Sequence, residues 1–154
     1  MHSILFVCLG NICRSCTAEE IFRTLAARCG RTADVRADSA GIIDYHEGEL
    51  PDARMRRHAA AHGYRLTHRS RPVCADDFSR FDLIVAMDGD NRRRLQCLAP
   101  TDEAAGRIVM MADYLRHHPA HDIVPDPYYG GDEGFELVIE LLEDACQGLL
   151  DSLD

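Results

Sequence analysis

A chain of 154 residues with 46% hydrophobic side chains is sized for one globular domain, residues 1–154, with an ordinary core. Its formal net charge of −9 excludes nucleic acid and anionic membrane as main partners, because both demand a basic surface, so an anionic ligand must be attracted locally. Arginine is the only strongly basic residue type, and without lysine neither the Gly-Lys-Ser/Thr nucleotide loop nor Schiff-base catalysis is available.

The first apolar run, residues 4–7, is short and aliphatic, as expected of a strand covered on both faces. Directly after it comes Cys8-Leu9-Gly10-Asn11-Ile12-Cys13-Arg14-Ser15, with a cysteine and an arginine six positions apart. A loop of this kind, curled around an oxyanion, points successive backbone N–H groups inward, and a helix starting beyond it adds its positive end. Cys8 is then expected in a field that favours the thiolate, and Arg14 can grip two phosphate oxygens with its planar fork. Gly10 supplies the tight curl, and Ser15 is expected to cap the next helix. That helix is marked by Ala18, Ile21, Phe22, Leu25 and Cys29 and stopped by Gly30.

Residues 35–40 mix apolar and charged side chains, which suits an edge strand. Pro51, in the first turn, opens a predicted helix running through His62 to Gly63. Runs 83–87 and 108–111 supply two further buried strands. Residues 114–131, with Pro119, Pro125 and Pro127, form a long irregular loop, the expected source of a second catalytic group. Phe135, Val138, Ile139, Leu142, Cys146 and Leu149 mark one face of a last helix that starts at Asp132 and Glu133. The alternation predicts a single-domain, three-layer α/β fold: a four-stranded parallel sheet flanked by helices, flavodoxin-like and doubly wound. Ligands of such sheets bind beyond the carboxyl ends of the strands, where Cys8, Asp88 and the loop after Met111 fall.

Breaking a phosphate ester through cysteine makes a phosphocysteine and an expelled oxygen that needs a proton. Asp126, in Asp126-Pro127-Tyr128-Tyr129-Gly130, is the best candidate acid: the proline stiffens its backbone and the adjacent rings suit an aromatic leaving group. The same carboxylate can then take a proton from the hydrolytic water.

With these residues in place the chain resembles, nearly end to end, the low-molecular-weight protein-tyrosine phosphatases. The resemblance covers the Cys8 loop, Asp38-Ser39-Ala40-Gly41, residues 45–52, Leu66-Thr67-His68-Arg69-Ser70-Arg71, Asp76-Asp77-Phe78, Phe81-Asp82, Ala86-Met87-Asp88 and the Asp126 segment. It implies hydrolysis of phosphotyrosine and aryl phosphates through a phosphocysteine. Cys8 would be the nucleophile, Arg14 the phosphate clamp, and Asp126 the acid and then base. Leu9, Gly10, Asn11, Ile12, Cys13 and Ser15 would form the phosphate-binding loop, with Ser15 donating to the thiolate and Asn11, tied to Ser39 and His68, holding the loop open. Tyr45, Tyr128 and Tyr129 would wall the cleft. The resemblance implies neither metal nor cofactor. The partner is expected to be a phosphotyrosine-containing protein, for which a bacterial tyrosine kinase is one candidate. Two departures stand out: Cys16 where the family usually has proline, and Tyr45 where many bacterial members have tryptophan.

Rival readings rest on the cysteines and histidines. Cys8, Cys13 and Cys16 have the C-x₄-C-x₂-C spacing of an iron–sulfur electron carrier, but the fourth ligand is missing because Cys29 falls on the apolar stripe of the first helix. A thioredoxin-coupled arsenate reductase needs a closely paired cysteine relay that Cys74 and Cys97 do not offer. Protein-arginine phosphatases of this type carry threonine and phenylalanine at the positions of Ile12 and Tyr128. A binding module without catalysis needs neither Cys8 nor Asp126. Cys13 is assigned a redox role, a reversible disulfide with Cys8 against over-oxidation, while Cys74, Cys97 and Cys146 are read as core or partly buried thiols. His58 with His62, and His117, His118 and His121 with Asp122, are read as solvated, as are Arg54, Arg56 and Arg57 and the Arg92 to Arg94 run. An odd count of seven cysteines, no leader and no membrane-length run predict a cytoplasmic protein with reduced thiols, expected to act as a monomer.

Overall fold

Strand β1 (His2–Cys8) organises the domain, and a computed structural model describes residues 1–153 around it. Its side chains alternate: Ile4, Phe6 and Cys8 enter one core, Leu5 and Val7 the other. That is why the run looked uniformly apolar, since both faces are covered. On one side β1 pairs in parallel with β2 (Val35–Gly41), on the other with β3 (Leu83–Ala86), and β3 pairs with β4 (Ile108–Met110). The order β2-β1-β3-β4 leaves β2 at an edge, as expected, and sets Cys8 opposite Gly41 at the carboxyl end.

Helices α1 (Arg14–Arg28), α2 (Ala53–Ala61) and α6 (Asp132–Ser152) contribute to the core containing Phe6. Between them in the chain lie short α3 (Asp77–Arg80), α4 (Gly89–Leu98) and short α5 (Asp102–Ala105), which supply Phe78, Leu95 and Ala104 to the core containing Leu5 and Val7. The stripe predicted for α6 is fully buried from Phe135 to Leu149, each large side chain contributing about 1.5–3 kcal/mol by leaving water. The short α3 and α5 and the 3₁₀ turn Met111–Tyr114 carry too few residues to show a period.

Several expectations shift in detail. Pro51 is not in the first turn of α2: Asp52 is the cap, its carboxylate accepting from the N–H groups of Arg54 and Met55, so Pro51 stands just outside. Cys29 is exposed at the carboxyl cap of α1 rather than on its apolar stripe, and Gly30 follows with φ 70°. Cys74 and Cys97 are exposed, whereas Cys146 is buried as expected. The long loop is stitched to the sheet by Val124, which is fully buried and whose N–H donates to the Met87 carbonyl at 2.8 Å. Among the described residues no helix is long and apolar enough to cross a membrane.

Candidate active site

β1 delivers Cys8 to the sheet's edge, and the chain turns back so tightly that β2 must pass beside it. A Cβ on Gly41 would meet Leu9 O and Gly10 C at 3.0 Å, so position 41 admits no side chain without rearrangement. The N–H groups of Ile42 and Ile43 donate to the carbonyls of Cys8 and Leu9 at 2.9 and 3.0 Å, tying the loop to the strand end.

Asn11 holds the loop's shape in the left-handed region, φ 59°. Its Nδ2 donates to Ser15 Oγ at 2.7 Å and to Ser39 Oγ at 3.1 Å; its Oδ1 accepts from His68 Nε2 at 3.0 Å and from the Arg71 N–H at 3.1 Å. Ser15 lies 3.1 Å from Cys8 Sγ; its oxygen accepts from Asn11, and its hydrogen can be given to the sulfur or to the Ala40 carbonyl at 3.4 Å. Ser15 therefore does not cap α1. The cap position belongs to Cys13, without a side-chain bond, and Thr17 Oγ1 closes the turn by donating to the Cys13 carbonyl at 2.6 Å. Asn11→Ala is expected to lower unfolding free energy by roughly 2–4 kcal/mol, from stranded buried partners and an unfavourable φ, as measured by urea denaturation.

Arg14 is 2% exposed although charged. Its NH1 donates to Asp88 Oδ2 at 2.7 Å and to the Val124 carbonyl at 3.1 Å, and its NH2 stands 3.6 Å from Asp126 Oδ2. Burial pulls the guanidinium's pKa down, but Cys8, the Asp88 hydrogen bond and Asp126 together hold it above its ordinary value. Asp88 is itself fixed as the cap of α4, accepting from the Asn91 N–H. Asp126 is more open; its Oδ1 accepts from the Tyr128 N–H at 3.0 Å, which leaves Oδ2 facing Arg14.

Cys8, Leu9, Gly10, Ile12, Cys13, Arg14, Asp126 and the three tyrosines line one cleft of ≈ 340 Å³. Tyr45 and Tyr129, 81% and 94% exposed, stand at its rim. Asn11, Ser15, Ser39 and His68 lie behind the loop instead. Two wall residues were missed from sequence, Ile43 and His46, although His46 packs edge-on to Tyr45, its neighbour in the chain. Arg54 is no solvated face: it donates to the Tyr128 carbonyl at 2.8 Å and lies over the Tyr128 and Phe135 rings.

His58 and His62 also leave the solvated reading, since both bind α6 carboxylates, His58 those of Glu136 and Asp132, His62 that of Glu136. His118 Nδ1 pairs with Asp144 at 2.8 Å. Among the described residues, one group holds three ligand-type atoms within 4.8 Å of one another: Glu19, Asp38 and His68. The iron–sulfur reading fails on distance, because α1 separates Cys29 from Cys13 by about 20 Å of helix. Burial, then Asp52 and Cys8, push the Cys13 thiol pKa up. Burial, then Cys8 and Cys13, do the same to Cys16.

A cysteine, a buried guanidinium and a carboxylate thus line one cleft at the carboxyl end of a parallel sheet, an arrangement of the kind a cysteine-dependent phosphatase uses. Residues 3–154 match the family described as low molecular weight phosphotyrosine protein phosphatase, and the chain belongs to that family. A Synechocystis relative described as a low molecular weight protein-tyrosine-phosphatase is 48% identical over 150 residues, spanning 97% of this chain and 95% of its own. The structure of a protein tyrosine phosphatase from Entamoeba histolytica, with HEPES in its active site, superposes with a TM-score of 0.95 at 43% identity, covering 98% of this chain and 96% of that one. A Drosophila arginine phosphatase matches at TM-score 0.88 and 32% identity, covering 96% of this chain and 95% of its own.

Proposed function

We propose that this chain hydrolyses phosphotyrosine in proteins, and small aryl phosphates, with Cys8 as nucleophile, Arg14 as phosphate clamp and Asp126 as general acid. Cys8 Sγ attacks phosphorus, the P–O bond to the aryl group breaks, and Asp126 gives its proton to the departing phenolate oxygen. Water then attacks the phosphocysteine, loses a proton to Asp126, and releases inorganic phosphate and the Cys8 thiolate. Ser15 steadies that thiolate, and Arg14 holds the equatorial oxygens in both steps. The observation that carries this reading is the convergence of Cys8, Arg14 and Asp126 on one cleft, with Arg14 already within 3.6 Å of Asp126.

The walls support an aryl substrate. Tyr45, Tyr128 and Tyr129 offer ring faces, and Ile12 makes the loop apolar where a guanidinium would prefer a polar contact. A phosphoserine would present its phosphate on a shorter stem with a poorer leaving group. A side-by-side turnover assay on a phosphotyrosine peptide, a phosphoarginine peptide and arsenate tests the reading: hydrolysis of the first should dominate, and faster hydrolysis of the second would assign the arginine phosphatase instead. The proposal extends to a cytoplasmic monomer acting on a tyrosine-phosphorylated protein, of which a bacterial tyrosine kinase is one fitting example.

Arg54→Ala frees the Tyr128 carbonyl and uncovers its ring. Because Tyr128 also holds Asp126 through its N–H, kcat/KM on aryl phosphates is expected to drop by up to about 10²-fold while the fold is retained, as checked by steady-state kinetics with circular dichroism. For redox protection, Cys13 is the assigned partner of Cys8. Peroxide inactivation should be reversed by dithiothreitol in the wild type and become irreversible in Cys13→Ala.

A further inference from the structure

Resting on the tyrosine-phosphatase reading above, we propose that a second groove, joined to the catalytic cleft by residues 45–50, docks an acidic segment of the polypeptide that carries the phosphotyrosine. The positive charge of the chain is unevenly placed. Residues 53–75 hold six of the 17 arginines and no Asp or Glu, although the whole chain carries −9. Folding pairs three of the six with carboxylates: Arg54 with Asp52, Arg57 with Asp132 at 3.7 Å, and Arg71 with Asp38 and Asp77. The other three meet no carboxylate among the described residues. Arg56 donates to the Pro51 carbonyl at 3.0 Å, Arg69 donates to the Gly48 carbonyl at 2.9 Å, and Arg65 makes no hydrogen bond or ion pair. All three are exposed.

Arg56 and Arg65 line one groove of ≈ 620 Å³ with Leu50, Ala60, Tyr64 and Leu66. Its openness follows from the sequence. Ala60 stands one helical turn after Arg56 and offers only a methyl group, and Gly63, at φ 89° beyond the end of α2, offers nothing: a Cβ there would meet no atom within 4 Å. The acids nearest the groove are already engaged, Glu143 by the Tyr64 hydroxyl at 2.6 Å and Glu49 by His46 at 2.7 Å. Leu50, 39% exposed, adds an apolar wall. Two guanidiniums without an anion, beside an aliphatic surface, suit carboxylate side chains interleaved with an apolar one, each planar fork being able to take a carboxylate through two hydrogen bonds.

The groove also sits at a usable distance from the chemistry. Tyr45 and His46 wall the cleft and Leu50 lines the groove, so the two are separated by at most about 18 Å of extended chain. That spacing is held fixed. The Gly48 N–H donates to the Ser70 carbonyl at 2.8 Å, the Ser70 N–H to the Glu49 carbonyl at 2.9 Å, and the Asp52 N–H to the Ile12 carbonyl at 2.8 Å. A substrate with its phosphotyrosine at Cys8 therefore places residues roughly five to eight positions away over Arg56 and Arg65. Screening over about 8 Å keeps these arginines from acting on the phosphate itself, so they lower KM for acidic substrates and leave the chemical steps alone.

Steady-state kinetics on two phosphotyrosine peptides tests this, one with Glu at roughly five to eight positions on either side of the phosphotyrosine and one with Gln in their place. The wild type should show a KM about three- to tenfold lower for the Glu peptide at low salt, and the advantage should vanish near 1 M salt, where screening shortens to about 3 Å. Arg56→Ala combined with Arg65→Ala should remove the advantage through KM, with kcat, the Gln peptide and p-nitrophenyl phosphate at wild-type values. Arg65→Glu alone, which breaks no contact, should make the Glu peptide the poorer substrate. An advantage that survives these substitutions, its absence from the wild type, or an equal loss on p-nitrophenyl phosphate would overturn the groove. So would sedimentation showing dimers that Arg65→Glu dissociates, since a second copy of the chain would then be the occupant. Failure of the tyrosine-phosphatase reading has a different signature, no turnover of either peptide or of p-nitrophenyl phosphate. The groove is then decided by the amide resonances of Arg65 and Leu66 on adding an unphosphorylated Glu-rich peptide: they must shift, and unmoved resonances overturn it.

Discussion

Cys8→Ser is expected to lower kcat on aryl phosphates by on the order of 10⁶-fold, the scale seen when a covalent nucleophile is removed, while phosphotyrosine peptide still binds. The two effects separate because the groups that would hold phosphate are not the group that attacks it. Arg14 stays fixed by Asp88 and the Val124 carbonyl, and Asn11 and Gly41 keep the loop curled, whichever atom occupies the Cys8 side chain. Burst kinetics with p-nitrophenyl phosphate and calorimetry with a phosphotyrosine peptide measure the two halves. Turnover persisting near the wild-type rate would move the nucleophile elsewhere, to Cys13 first.

Asp126→Ala should slow phosphotyrosine hydrolysis by about 10²- to 10⁴-fold, the range for losing a general acid, and should slow esters of strongly acidic phenols far less because they depart as stable anions. That dependence on leaving group distinguishes proton donation from simple loss of shape. It is sharpened by the position of Asp126 Oδ2 at 3.6 Å from Arg14: the substitution also frees the guanidinium from one carboxylate, so KM for the phosphate dianion should fall or hold steady while kcat drops. A uniform loss across good and poor leaving groups would remove Asp126 as the acid.

The sheet and the loop were legible because their signals are contiguous. Residues 4–7 form a short uninterrupted apolar run, the α6 stripe carries a helical period, and Cys8 and Arg14 declare their chemistry within one short loop. Asp126 was reachable only by asking what the sulfur needs. What stayed hidden depends on packing between distant segments. Arg54 looked like one of three exposed arginines until α2 set it over Phe135 and Tyr128. Glu19, which the sequence does not single out, is 3% exposed; burial, opposed by the Ser39 hydrogen bond and Arg23, raises its pKa to about 7. Ser15 followed helix-capping statistics in sequence but answers to Cys8 in space. Pro51 was displaced by one turn-forming carboxylate, Asp52, that satisfies two N–H groups at once.

Val124 is where the long loop meets the sheet: its N–H is taken by Met87 and its carbonyl by Arg14. The stretch bearing Asp126 therefore hangs between this pivot and the first turn of α6, a tether only a few residues long. Its travel is that of a short lever, too small for a lid that seals the crevice. Large phosphorylated surfaces can then approach without waiting for a gate, and in hydrogen–deuterium exchange the Val124 amide should stay protected long after the amides of Ala120 and Asp122 have exchanged.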